Sequence, residues 1–338
     1  MDIPEGFLAV LAAILGLIFG SFGTVVAYRL PKGETVVSGR SKCPNCGHTI
    51  TAIENIPLFS YLFLRGRCRN CGVKISVRYP AIEVVTGILF ALAVIKFDLT
   101  IEAFVYAGLF WTLVVLAVID LEEKKLPDKI TLPLFVVGLG ALALAAFLDD
   151  RVGDLAPDVI VSAAVILVVM AVMFPWRAAD RRPDAQTPPA GEEDVEPTRP
   201  KRIRINPWGL SALVAWMVLL GAAFLEGERV SLAGAVVGAG LFAGFFFAVA
   251  LTAMGGMGGG DVKLALTLGA FSGYLGAPGT VIVAMFAAVV LGGLVSIIVL
   301  FGGGTRKTAL PFGPFLALGT VVAIFVGDRI QDLYGSTL

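Results

Sequence analysis

Charge is scarce in this sequence. Only 15% of its 338 residues are Asp, Glu, Lys or Arg, where a typical soluble domain carries about 25%. With 57% hydrophobic residues, the chain cannot clothe a water-soluble surface, which excludes an ordinary cytosolic enzyme and a disordered chain. A basic excess is also lacking, because 26 Lys and Arg stand against 26 Asp and Glu. That balance implies no nucleic-acid partner. One His and four Cys are few enough for each to be weighed singly. No cation precedes Arg29, so the first apolar stretch lacks the positive n-region of a secretory signal peptide and is read as a span.

What the chain has instead is long apolar runs and a mean hydropathy of +0.88, which call for a lipid bilayer as solvent. A spanning helix needs about 20 mostly apolar residues. Candidates are 7–30, 80–97, 101–120, 130–148, 158–175, 208–225, 231–254, 280–301 and 314–328, with a weaker one at 262–278 interrupted by Gly269, Gly273, Gly276 and Pro278. The expected fold is therefore an all-α polytopic membrane protein of about eight to ten transmembrane helices. With the N-terminus outside and ten crossings, 22 of the 26 Lys and Arg fall on the inner side. The other four are Lys96, Arg151, Arg229 and Arg329. This bias sets the orientation by the positive-inside rule.

Two polar stretches interrupt the spans. Residues 31–79 form a basic cytoplasmic insert holding all four cysteines. Residues 176–207 are rich in Pro and in charges of both signs, a composition expected of a mobile loop. In the insert, Cys43-Pro-Asn-Cys46 and Cys68-Arg-Asn-Cys71 place two thiols on each of two tight turns. Such pairs build a closed tetrahedral S4 site for a structural zinc. The reducing side on which they fall argues against disulfides. His48 is either a ligand in an alternative arrangement or a solvated loop residue. The apolar run 55–67 either packs on the knuckles, rests at the lipid interface or contributes to a substrate groove.

Acidic residues at membrane depth are costly and are functional candidates by default. Asp120 closes the run WTLVVLAVID at the inner end of its helix. Pro127 breaks the helix and Asp128 is placed to cap the next one. The second site is GGMGGGDVK, residues 255–263, in which Asp261 follows Gly258 and Gly260 and precedes Lys263. Glycines there let chains approach closely, for helix packing or for a peptide in a site. A phosphate loop is disfavoured, since the G-K-[ST] ending and a preceding strand are lacking. Asp120 and Asp261 fall at the same membrane face. Two such carboxylates suggest an aspartyl protease in which one ionised Asp activates water and the other, protonated, polarises the scissile carbonyl. Lys263 either tunes Asp261 or anchors the inner face, and Glu83 is a candidate for a polar role near the same interface.

These segments together resemble the type IV prepilin peptidases, the leader peptidase/N-methyltransferases of type IV pili and type II secretion. GSFGTVVAYRLP (residues 20–31) is similar to the family's opening, 43–83 to its zinc insert, and 119–134 to the stretch bearing a first catalytic Asp. GMGGGDVKLALTLGAF (256–271) is similar to the GxGD segment and LPFGPFLALG (310–319) to a late PFGPF motif. The resemblance implies catalytic roles for Asp120 and Asp261, a GxGD loop at Gly258 and Gly260, and structural zinc on Cys43, Cys46, Cys68 and Cys71. Asp128, Lys263 and Glu83 are possible supporting residues. It implies cleavage of prepilin and pseudopilin precursors at the cytoplasmic face of the bacterial inner membrane. It also implies N-methylation of the new terminus with S-adenosylmethionine.

The expected organisation is a first helix (1–30), the zinc insert (31–79), helices with the first catalytic Asp (80–157), an added helical pair around the charged loop (158–225), and helices with the GxGD and PFGPF segments (226–338). Where the family opening has Leu-Asn, this chain has Gly23 and Thr24. That difference touches the methyltransferase half, so peptidase activity alone is one alternative. A non-enzymatic scaffold or transporter with a zinc knuckle is the other.

Overall fold

The computed structural model describes residues 4–37, 39–148, 232–252, 258–276, 278–302 and 310–335. The expected spans 158–175 and 208–225 and the charged loop 176–207 lie outside these residues. Among the described residues the helices are α1 (Glu5–Arg29), α2 (Phe59–Phe63), α3 (Arg78–Phe97), α4 (Ile101–Glu123), α5 (Asp128–Leu148), α6 (Leu232–Thr252), α7 (Gly259–Gly276), α8 (Gly279–Phe301) and α9 (Gly313–Gly335). A 3-10 turn, Ile53–Asn55, precedes α2. Extended structure among the described residues is confined to two isolated bridges in the insert. All-helical architecture follows from the solvent, because in lipid every backbone N–H and C=O must be satisfied within the segment.

Helices α1, α3, α4, α5, α6 and α8 are long and apolar enough to cross a bilayer. The chain is a multi-pass membrane protein. The weak span at 262–278 is nonetheless a continuous helix, α7, and its residues from Val262 onward are largely buried against neighbours. Its glycines and Thr267, Ser272 and Tyr274 make it less apolar than a lipid-facing helix, and burial between other helices is what permits that.

Helix α4 is the hub. Its face of Tyr106, Leu109, Phe110, Leu113 and Leu116 is almost fully buried and belongs to one apolar core shared with α5 to α9. Its other side packs Val115 and Ile119 against Val26 and Ala27 of α1. Apolar burial drives little association within lipid, so close packing of small residues does that work. At the α6–α7 crossing, a Cβ added to Gly238 would collide with the carbonyl oxygen of Gly269, and the reverse also holds. These two positions must be glycine for the helix axes to lie this close.

The contacts fix direction and depth. On α1 and α3, Gly16 meets Thr86 and Gly87 while Gly20 meets Glu83, so the helices are antiparallel. The Phe110 ring packs beside that of Phe325, tilted by 34°, whereas Asp120 meets Gly313, so α4 and α9 are antiparallel too. The start of α9, the end of α4 and the starts of α5 and α7 therefore share one face of the bundle.

Candidate active site and cysteine centre

Asp120 lies one turn before the end of α4 and is only 5% exposed. The helix stops because Lys124 takes a left-handed conformation, φ 52° and ψ 37°, and its N–H bonds the Asp120 carbonyl at 2.9 Å. This is the usual geometry of a helix C-terminus. The Asp120 carboxylate is fixed separately. Its Oδ2 accepts the N–H of Gly313 at 3.0 Å, across 193 positions of sequence. Gly313 is the first residue of α9, where backbone N–H groups have no partner within the helix and favour an anion. A Cβ on Gly313 would sit 2.7 Å from Oδ2, so only glycine lets the backbone come this near.

Asp261 stands in the first turn of α7, half-buried. Its N–H bonds the Gly258 carbonyl at 3.1 Å, which closes Gly258–Asp261 into a turn at the start of the helix. A Cβ on Gly260 would meet the Leu126 side chain at 3.0 Å, so the loop between α4 and α5 presses on the glycine segment. The same Leu126 side chain lies 3.5 Å from the Cβ position of Gly313, which holds Asp120, so the Asp120 and Asp261 ends of their helices lie side by side. The structure thus brings the two sequence-singled aspartates together at one face.

The supporting residues divide. Lys263 donates to Asp128 Oδ1 at 2.6 Å, joining α7 to α5. Both side chains are partly exposed, so this ion pair is a brace of modest strength. Asp128 is thus an ion-pair partner within the first turn of α5. Ile130 and Thr131 give their N–H groups to the Pro127 carbonyl. Glu83 has a partner of its own. It is buried on α3, and its Oε2 accepts the Leu58 N–H at 2.8 Å.

The four cysteines come together. Their Sγ atoms all lie within 4.8 Å of one another. Cys43 and Cys71 are 3.9 Å apart, far beyond the roughly 2.05 Å of a disulfide, and all four are free thiols. The two turns are built alike. Gly47 N–H bonds the Cys43 carbonyl and Gly72 N–H the Cys68 carbonyl, each at 2.9 Å, with both glycines at positive φ, 69° and 71°. Asn45 offers its amide to Cys71 Sγ and Asn70 to Cys46 Sγ, each at 3.6 Å. This is a possible metal site with all four corners filled. His48 takes no part, since its Nε2 meets Glu54 Oε2 at 3.3 Å. Glu54 is held below the usual carboxylate range by the Thr51 N–H, the Thr51 hydroxyl and His48.

The residues that sequence reasoning missed are Gly313 and Leu126. Both act through packing or a backbone N–H, which leave no side-chain signature. The signals for Gly313 were its place in the PFGPF stretch and the flanking Pro311 and Pro314, the punctuation of a helix start.

Comparison with known proteins decides the family. Residues 14–97 match the bacterial Peptidase A24 N-terminal domain. Residues 107–179 and 210–297 match the type IV leader peptidase family. A prepilin leader peptidase/N-methyltransferase of Pseudomonas putida is 30% identical over 98% of this chain and 94% of its own length. The chain belongs to the type IV leader peptidase family. A relative of the same description from Bacillus subtilis is 29% identical over 95% of each chain. Another, from Myxococcus xanthus, is 45% identical, with the match covering 43% of this chain and 44% of that protein. No solved structure matches. Like other members of the leader peptidase family, the chain is an enzyme; the first matched region includes the four cysteines and Glu83, and the second includes Asp120 and Asp261.

Two outcomes follow from this geometry. Gly313→Ala keeps the backbone N–H but forces Asp120 aside. Peptidase activity of the membrane-inserted protein is expected to fall by about 100-fold, the scale on which a 1 Å misplacement acts. Unchanged activity contradicts the contact. In metal-free protein the Cys71 thiol is pushed down to about 6, chiefly by the Val73 N–H and then by the Asn45 amide. These donors favour the thiolate, so alkylation of Cys71 by iodoacetamide should be at its plateau above that pH and decline below it. Asn45→Ala should move the midpoint upward, as read by peptide mass mapping across a pH series.

Proposed function

We propose that this chain is an aspartyl endopeptidase that removes the leader of prepilin-like precursors at the cytoplasmic face of the bacterial inner membrane, and that it methylates the new N-terminus. The observation that carries the reading is the meeting of Asp120 and Asp261 at one face of the bundle, within a chain of this family. The relatives named above bear both activities in their description. The basic residues of the segment preceding α3, on that same face, support the cytoplasmic assignment.

The residues divide the chemistry between them. Asp120 accepts a backbone N–H, a bond that favours a charged carboxylate. It is the partner that takes a proton from water as the water oxygen attacks the scissile carbonyl. Asp261, beside that charge, is the partner that holds a proton and gives a hydrogen bond to the carbonyl oxygen. Asp120 then passes the proton it took from water to the amine nitrogen as the C–N bond breaks, and the pair is left again with one shared proton. Gly258, where a Cβ would sit 3.4 Å from Asp261 Oδ2, leaves that carboxylate open to an extended peptide, while Gly260 makes room for the Leu126 side chain.

Zinc on Cys43, Cys46, Cys68 and Cys71 is the metal this donor set fits. At Zn–S of about 2.3 Å a tetrahedron has edges of about 3.8 Å, against the 3.9 Å between Cys43 and Cys71. With four thiolates the ion has no open position, so its role is to hold the insert's two turns together. S-adenosylmethionine would supply the methyl group. Among the described residues there is no strand-to-helix phosphate turn to hold such a ligand, so no residue is assigned to it.

The test is a cleavage assay on protein in nanodiscs with a prepilin from the same genome and S-adenosylmethionine, read by the mass of the product. Wild type should remove the leader and add about 14 Da, the mass of one methylene gained in N-methylation. Asp120→Asn and Asp261→Asn should each slow leader removal by at least about 1,000-fold, leaving the precursor intact over the time in which wild type finishes. Cleavage by either variant at the wild-type rate overturns the aspartate assignment, and leader loss without the added mass overturns the methyltransferase half.

A further inference from the structure

The cysteine insert is not simply a cap above the bundle. Gly20 of α1 lies against the backbone of Glu83, since an added Cβ would be 2.7 Å from the Glu83 Cα. Gly20 is nine residues, or about 13 Å of helix, short of the α1 end at Arg29. Glu83 is five residues, or about 7.5 Å, inside the start of α3. Leu58 gives its N–H to this buried carboxylate at 2.8 Å. The middle of the insert therefore hangs beside the second turn of α3, at the level of the spans.

The backbone there is strained into that position. Leu58 has φ 61° and ψ −49°, and the Phe59 N–H bonds the Pro57 carbonyl at 2.6 Å. This is a γ-turn of the rare, positive-φ hand. Such conformations persist only where the surroundings over-determine them, and the Glu83 carboxylate is one such restraint. The turn throws the next residues outward. Phe59, Leu62 and Phe63 are 61%, 62% and 86% exposed, so these three side chains do not pack on the knuckles. Directly after them come exposed Arg65 and Arg67. Residues 40–78 carry seven Lys and Arg and the single carboxylate Glu54, which is engaged with Thr51 and His48.

Exposed aromatic and leucine side chains at the depth of the helices, with cations immediately beyond, match the chemistry of an anionic membrane interface. We propose that the segment Ile56–Phe63 is an interfacial anchor. It seats Phe59, Leu62 and Phe63 at the boundary between acyl chains and headgroups, with Arg65 and Arg67 on anionic lipid phosphates. The strained turn and the Glu83 bond hold this latch at a fixed depth, which holds the cysteine centre at a fixed height over the aspartate face.

The full-length protein, carrying the photocrosslinker p-benzoylphenylalanine at position 63, is reconstituted in vesicles of equimolar phosphatidylglycerol and phosphatidylcholine. After irradiation the adducts are identified by mass. The expected result is phospholipid adducts at position 63 with phosphatidylglycerol in several-fold excess, and a fall of that excess when Arg65→Gln and Arg67→Gln are added. Residue 63 is exposed, so the label leaves the fold in place, and retained prepilin cleavage checks this. Adducts only to water-quenched product, to a second copy of the chain or to added prepilin overturn the anchor. Equal labelling of the two lipids overturns the headgroup contact.

Discussion

A carboxylate at membrane depth persists only where donors reach it, and the hydrogen bond from Gly313 to Asp120 is where that requirement organises this molecule. The bond joins the end of α4 to the first N–H of α9, so the two helices must meet end to start at one face. Antiparallel packing of α4 and α9 through Phe110 and Phe325 then follows. Asp261 arrives at the same face because α7 begins there, pressed by Leu126 from the turn that ends α4. The pair of aspartates is thus a product of helix termini brought to one level, each terminus contributing a backbone group or a tight glycine.

Much of this was legible in the sequence. Apolar runs of spanning length located α1, α3, α4, α5, α6 and α8, because bilayer thickness imposes a length that composition reveals, and a shorter apolar run located α9. The paired Cys-x-x-Cys turns announced their cluster, since ligand spacing is local. Asp120 and Asp261 stood out because an acid beside a span needs an explanation. Other parts were not legible. The Gly313 donor belongs to the backbone and is set by a contact 193 residues away. The partner of Lys263 is Asp128, 135 residues distant, and local reading gave each of them a different task. His48 faces Glu54 and not the thiols, a choice made by the turn at Thr51 that its type alone does not reveal.

The N-terminal part obeys the same logic at a second buried carboxylate. Glu83, like Asp120, is satisfied by a backbone N–H from a distant segment. The consequence differs, because here the donor comes from a strained turn in the polar insert, and the bond ties that insert to the spans. The cysteine centre and the aspartate face are therefore linked through α1, α3 and α4: Ile119 packs on Val26 and Ala27, and Arg78 at the start of α3 pairs with Glu122 at the end of α4. A bundle held this way positions a polar insert and a buried acidic pair relative to one another without a long rigid connection.

The claim on which the account turns is that Asp120 and Asp261 act as one unit. The most direct measurement is a kinetic cycle on leader cleavage, comparing wild type, Asp120→Asn, Asp261→Asn and the double variant in the same nanodiscs. Residues that act as a unit are strongly non-additive, so the double variant should be no slower than the slower single variant. Losses that multiply, giving a double variant slower than either by the product of the two effects, would contradict a shared centre.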